Sequence, residues 1–154
     1  MIRVLIADDH LVVREGLRTI LEVADDIEPV GEAANGSEAV RLVGELAPDV
    51  VLLGVGTLCP DDLETIVQIS ERYPHSRVLM LSACDGGQER LALDAFRKGL
   101  WGYLIKGKSQ PLEIIEAIRT VHRGGAILSP CVAGWILDEI SGRQPRMINR
   151  ESGQ

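Results

Sequence analysis

Hydrophobic residues follow two alternating patterns along the chain. Short, largely apolar runs of strand-like composition lie at residues 3–7, 27–34, 49–54, 77–82 and 101–105. Stretches with apolar residues three or four positions apart follow them at residues 11–24, 37–47, 61–73, 88–98 and 111–123. This alternation predicts five strand–helix units in series.

Strands that alternate with helices of this length form a parallel sheet covered on both faces. The predicted fold is therefore α/β, a flavodoxin-like doubly wound sheet of five parallel strands in the order 2-1-3-4-5. The functional crevice of such a sheet lies beyond the carboxyl ends of its strands. The candidate residues at those ends are Asp8, Asp9, Gly54, Ser82 and Lys106.

Helix ends are predicted from capping residues. Ser37 is expected to cap the second helix, Pro48 to end it, and Asp61 or Asp62 to cap the third. Gly99 is expected just past the end of the fourth helix. From Pro130, a further short stretch has an amphipathic pattern typical of a helix.

Composition narrows the classes of function. The 154 residues carry a net charge of −7, which is unsuited to binding nucleic acid, so any DNA contact is expected through a domain outside this chain. No signal peptide or membrane-length apolar run is recognised, which predicts a cytoplasmic protein without membrane contact. Cys59, Cys84 and Cys131 lack metal-site spacing and are expected to be reduced thiols.

Four strand segments resemble the receiver domain of bacterial two-component response regulators. They are residues 4–10 (VLIADDH), 48–53 (PDVVLL), 78–83 (VLMLSA) and 102–106 (GYLIK), in the family's order. The resemblance spans residues 2–125 and is similar to the NarL/FixJ (LuxR-type) branch. It implies the CheY-like form of the fold and a role in phosphorelay signal transduction that regulates transcription.

The resemblance also implies a site chemistry. In this family a strand-three aspartate takes a phosphoryl group from a phosphohistidine, and Mg²⁺ is bound by that aspartate and an acidic pair. The matching positions assign Asp8 and Asp9 to the acidic pair, Ser82 and Tyr103 to the switch, and Lys106 to phosphoryl charge neutralisation.

Two positions depart from this pattern, and one of them changes the chemistry of the site. Gly54 stands where the family has the phosphoacceptor aspartate, and Leu58 stands where it has a proline. Glycine supplies neither a nucleophile nor a metal ligand, so no catalytic residue is assigned. Asp8 and Asp9 alone are expected to bind Mg²⁺ weakly at best, and no cofactor is required.

Other acidic residues offer poor replacements for the missing carboxylate. Asp49 begins the same strand, roughly 16 Å from its end at the usual rise. Asp8 or Asp9 as an unusual phosphoacceptor stays open. Two adjacent carboxylates without a cation repel each other, so one is expected to have a raised pKa, with Lys106 as the counter-charge.

The remaining candidates have structural interpretations. His10 is expected to be a solvated residue at a helix start, and Trp101 and Tyr103 to pack on an edge strand. Ser82 is either a switch hydroxyl or a strand-end residue without a role.

The predicted division is a receiver domain at 1–125, a linker with a short amphipathic helix at 126–145, and the start of a truncated helix-turn-helix domain at 146–154. The last assignment rests on residues 147–152 (MINRES), which resemble the opening of that domain.

The leading functional interpretation is a non-enzymatic receiver and dimerisation module that is independent of phosphorylation. It is expected to form a homodimer, and a histidine kinase or another response regulator is a further expected partner. One alternative is a phosphorelay receiver with an unusual acceptor. Another is a flavodoxin-like small-ligand or nucleotide-binding protein, although neither GxGxxG nor GxxxxGK[ST] occurs. It also stays open whether Gly54 is natural or was introduced to hold the unphosphorylated state.

Overall fold

The computed structural model describes residues 1–83, 87–128 and 130–142, with Cys131 described by its backbone alone. The expectations for Cys84, for the end of the linker at 143–145 and for the segment 146–154 lie outside the described residues.

The strands form one parallel sheet. They are β1 (Ile2–Ala7), β2 (Ile27–Ala33), β3 (Val50–Val55), β4 (Arg77–Ser82), β5 (Gly102–Ile105) and β6 (Ile127–Leu128). Their order is β2-β1-β3-β4-β5-β6, which confirms the predicted order of the first five. The expected count of five was too low, because a two-residue strand is too short to leave a periodic signal.

Helices cover both faces of this sheet. They are α1 (Leu11–Glu22), α2 (Gly36–Leu46), α3 (Pro60–Arg72), α4 (Glu89–Arg97), α5 (Pro111–His122) and α6 (Pro130–Ser141). One core cluster joins α1 and α5 to the sheet, and a second joins α2, α3, α4 and α6 to the opposite face. None of the helices within the described ranges is long and apolar enough to cross a membrane.

The continuous apolar strands are explained by this layering. Leu5 and Ala7 of β1 contribute to the core beneath α2 and α3, while Val4 and Ile6 contribute to the core beneath α1 and α5. A strand between two helical layers buries both faces, so successive residues are apolar without alternation.

Two helix starts differ from the capping predicted by sequence. Asn35, and not Ser37, caps α2, because its side-chain oxygen accepts the backbone N–H of Glu38. Cys59 occupies the N-cap of α3, and Asp62 lies inside the helix, where its carboxylate accepts the backbone N–H of Cys59 at 2.9 Å.

The ends of α2 and α4 can also be compared with their predictions. The second helix stops at Leu46 because Ala47 adopts a left-handed conformation one residue before Pro48. Gly99 has a φ of 119°, as expected for a glycine that follows a helix.

The region after α5 continues the layered structure. β6 pairs with β5 through Gly102–Ile127 and Tyr103–Leu128, so β5 is not the edge strand expected for Trp101 and Tyr103. Val132 and Trp135 of α6 are buried in the core that contains Tyr103. The amphipathic helix expected at this place therefore packs on the sheet.

Candidate functional site

The carboxyl ends of the central strands meet at one edge of the sheet. Asp8 directly follows β1, Gly54 lies near the end of β3, Ser82 ends β4, and Lys106 directly follows β5. Lys106 continues the pairing of β5 with β4, because its backbone N–H donates to the Ser82 carbonyl at 2.8 Å. The structure thus gathers these four predicted positions at one edge of the sheet.

Gly54 and Asp8 approach each other so closely that a side chain at position 54 would require the Asp8 carboxylate to move. A Cβ built on Gly54 would lie 2.0 Å from Oδ2 of Asp8 and 3.0 Å from its Cγ. Gly54 lies within β3, where every residue type is allowed, so its backbone conformation does not call for glycine. The room next to Gly54 is filled by the Asp8 carboxylate.

Asp8 is bound on both of its carboxylate oxygens. Oδ2 accepts a hydrogen bond from Nζ of Lys106 at 2.8 Å, and Oδ1 accepts the backbone N–H of His10 at 2.8 Å. The Asp8 side chain is 0% exposed and that of Lys106 is 19% exposed. A buried charge of this kind requires the compensation that both donors provide.

The pKa of Asp8 lies below its usual value. Burial disfavours the charged carboxylate and on its own would raise the pKa. The hydrogen bonds from Lys106 and from the His10 backbone, together with the Lys106 charge, outweigh burial. The raised pKa expected for one acid of the pair is therefore wrong for Asp8, because Lys106 is its closest charged partner.

Asp9 and His10 lie at the rim of the crevice. Their side chains are 72% and 66% exposed, and Nδ1 of His10 lies 2.8 Å from Oδ1 of Asp9. The structure thus separates the two adjacent acids, because Asp8 turns inward and Asp9 outward. His10 occupies the solvated helix-start position expected for it.

The two switch candidates are enclosed by protein. Ser82 and Tyr103 are both 0% exposed, and Tyr103 belongs to the core shared with Trp135 of α6. Their roles in switching stay predictions. Tyr103 links the middle of β5 to α6 through this core.

A residue that the sequence did not single out links two distant segments of the chain. The Gln88 side chain accepts the backbone N–H of Leu58 at 3.0 Å and donates to the Leu58 carbonyl at 2.5 Å. It thereby joins the β3–α3 loop to the start of α4, 30 residues away. A glutamine before a helix is too common in sequences to reveal such a link.

The acids of this crevice have few uncommitted oxygen atoms, and weak Mg²⁺ binding stays a prediction. Ligand atoms of Asp8, Asp9 and His10 lie within 4.8 Å of one another. Both Asp8 oxygens, however, already accept hydrogen bonds, and Gly54 adds no carboxylate. Asp9 and Asp62 also line the crevice, and Asp62 already accepts the backbone N–H of Cys59. Mg²⁺ takes one or two carboxylates and completes its octahedral shell with waters.

A doubly wound parallel sheet with acids, a hydroxyl and a lysine at its switch-point edge defines a receiver-type signalling domain. The chain belongs to the response regulator receiver domain family, whose model matches residues 4–119.

Similar proteins agree with this assignment. Transcriptional regulatory protein LiaR of Bacillus subtilis (strain 168) is 37% identical over 153 residues, which are 99% of this chain and 71% of LiaR. Response regulator protein VraR of Staphylococcus aureus is 38% identical over 130 residues, 84% of this chain and 60% of VraR. The chain spans 62% and 59% of two further Bacillus subtilis regulators, LnrK and YdfI.

A solved structure of a LuxR-family response regulator from Aurantimonas superposes with a TM-score of 0.78 and 34% identity, covering 90% of this chain and 97% of that one. This chain is accordingly the receiver domain of a LuxR-family transcriptional regulator of the two-component type.

Proposed function

We propose that this receiver works without phosphorylation. The observation that carries the proposal is the Asp8 carboxylate packed over Gly54 and bound to Lys106. The position that normally supplies a nucleophile has none, and the lysine that would neutralise a phosphoryl group already has an anionic partner.

The same observation raises a second candidate, phosphorylation of Asp8 itself. Its carboxylate is ionised and lies next to the place of the missing side chain. A nucleophile must, however, present an oxygen to the incoming phosphorus, in line with the leaving group. The Asp8 side chain is 0% exposed and both oxygens accept hydrogen bonds, which argues against such an attack.

The module is proposed to pair with a second copy of itself. Large apolar side chains are exposed on α1 and α5, where Val12 is 80% and Leu112 is 65% exposed. Pairing of these helices would remove them from water. A histidine kinase or another response regulator is the alternative partner for this face, and DNA is contacted through a separate domain of a cytoplasmic regulator.

Two measurements on one sample test the proposal. The chain is incubated with acetyl phosphate and Mg²⁺, and intact mass and light scattering are recorded before and after. We expect no gain of a phosphoryl group and the same dimer fraction in both samples. The Gly54→Asp variant, which restores the carboxylate, is the control for an active donor.

A phosphoryl mass gain in the parent chain would contradict the proposal. If the gain disappears in Asp8→Asn, the second candidate replaces it. A dimer fraction that rises with beryllofluoride and Mg²⁺ in the parent chain would contradict it as well, because that result requires a functional acceptor pocket.

A further inference from the structure

Gly54 provides room for a neighbouring side chain. Its backbone is extended, so the absence of a side chain is not required for conformation. Oδ2, Cγ and Cβ of Asp8 lie 2.0, 3.0 and 3.3 Å from the place where a Cβ of residue 54 would stand. Even one added methyl group would displace Asp8 from this position.

The Asp8 carboxylate connects parts of the sheet that are far apart. Asp8 follows β1 and Lys106 follows β5, and the strands β3 and β4 lie between them. With neighbouring strands about 4.8 Å apart, the two backbones are separated by roughly 14 Å. The Lys106 and Asp8 side chains both reach across the intervening strands and meet in a hydrogen bond of 2.8 Å.

The backbone around Asp8 holds it in place from the other side. Its own N–H donates to the Ala33 carbonyl at 3.0 Å, and its carbonyl accepts a hydrogen bond from Arg14 at 2.6 Å. Strands β1 and β2 and helix α1 therefore all fix this residue. The carboxylate is positioned by this surround, and Lys106 at 2.8 Å is closer to it than Nδ1 of His10 at 3.3 Å.

We propose that Asp8 acts as a permanent internal counter-ion for Lys106, occupying the place of the lost aspartate and withholding itself from divalent cations. This inference rests on the proposed function and deepens it. It assigns to Asp8 the negative charge that a phosphoryl group would otherwise present to Lys106. The ion pair then persists in the absence of metal and phosphate.

The first test observes Lys106 directly by nitrogen-15 NMR of the lysine ammonium groups. The chain contains three lysines, Lys98, Lys106 and Lys108, so the spectrum is simple. An ammonium group in a buried ion pair exchanges its protons with water slowly and gives a resolved signal. We expect such a signal in the parent chain and its loss in Lys106→Met, which assigns it.

Two glycine variants form a matched pair for this measurement. Gly54→Ala expels the Asp8 carboxylate, so the Lys106 signal is expected to disappear. Gly56→Ala adds the same methyl group two residues later, where no atom lies within 4 Å, and is expected to keep the signal. Asp8→Asn removes the charge without changing residue 54 and is expected to lose the signal while the amide spectrum stays folded.

The second test measures Mg²⁺ binding by calorimetry on the same variants. In Gly54→Ala the expelled Asp8 joins Asp9 in the crevice, a cavity of about 350 Å³. One more charged ligand is expected to raise the affinity about tenfold above the parent chain, while Gly56→Ala stays like the parent.

The proposal is overturned if the parent chain gives no Lys106 signal, or if the signal survives in Gly54→Ala or Asp8→Asn. It is also overturned if the parent chain binds Mg²⁺ as tightly as Gly54→Ala does. Neither test contains a phosphodonor, so their failure is distinct from a failure of phosphorylation independence.

Discussion

At the scale of single residues, Asp8 and Gly54 depend on each other through the space they share. The sequence identified the missing carboxylate at Gly54 and named Lys106 as the counter-charge of the acids. It did not reveal that Asp8 turns inward and Asp9 outward, because this choice depends on the distance between β1 and β3. That distance is a property of the folded sheet.

The Asp8–Lys106 pair is expected to show strong coupling in unfolding free energy. Lys106→Met leaves a buried carboxylate without its cation and should cost about 3 kcal/mol. In the double variant Asp8→Asn/Lys106→Met the loss should fall short of the sum of the single losses by at least about 1 kcal/mol. Urea unfolding of the four proteins measures this.

Lys98→Met is the control, because Lys98 is exposed just after α4 and its replacement should change stability by less than about 0.5 kcal/mol. Additive losses at Asp8 and Lys106 would show that the two residues do not stabilise each other.

At the scale of elements, the periodic pattern located five strands and five helices, and residues 77–82 match β4 at both ends. The errors concern the cap of α2 and the number of strands, and each has a physical reason. Asn35 and Ser37 are both good capping residues in one turn, and the backbone path into α2 selects Asn35. The two residues of β6 form a strand because β5 offers an unpaired edge, which no local pattern reports.

Glu32 of β2 links this strand to α1, and its contribution should depend on pH. The hydrogen bond from Arg18 at 2.7 Å, with smaller contributions from Arg14, holds the Glu32 pKa below its usual value. The folded-state pKa is therefore lower than the unfolded one. The stabilisation is present above about pH 4.3 and is lost as the pH falls through the folded-state pKa.

Glu32→Gln should reduce the free energy of unfolding by about 1 kcal/mol at pH 7, and the difference from the parent should shrink below about pH 4. Thermal or urea unfolding across this range measures the effect. Glu28→Gln, an exposed site on the same strand, is the matched control and should behave like the parent. An equal loss for Glu32→Gln at every pH would exclude an electrostatic cause.

At the scale of the whole molecule, the doubly wound order was predictable from alternating strands and helices. The packing of α6 was harder to predict. Its apolar residues indicated that something must cover them, and the sequence left open whether this was the receiver or a partner. The structure places Val132 and Trp135 against the core, and Arg97 of α4 forms an ion pair with Glu139 of α6.

Trp135→Ala tests whether α6 belongs to the folding unit. Loss of this buried side chain, which is 8% exposed, should lower the free energy of unfolding by about 3 kcal/mol. Ile140→Ala on the same helix removes a side chain that is 76% exposed and should change stability by less than about 0.5 kcal/mol. Equal, small effects of both changes would mean that α6 is an independent linker.

The two hydrogen bonds between Gln88 and Leu58 have a mechanical consequence. Leu58 is anchored in the core at 2% exposure, while Gln88 stands at the entrance to α4. A partner that pulls the amino end of α4 outward must therefore either break both bonds together or drag a buried leucine into water. The two hydrogen bonds of the Gln88 amide would therefore break together, in a single cooperative step.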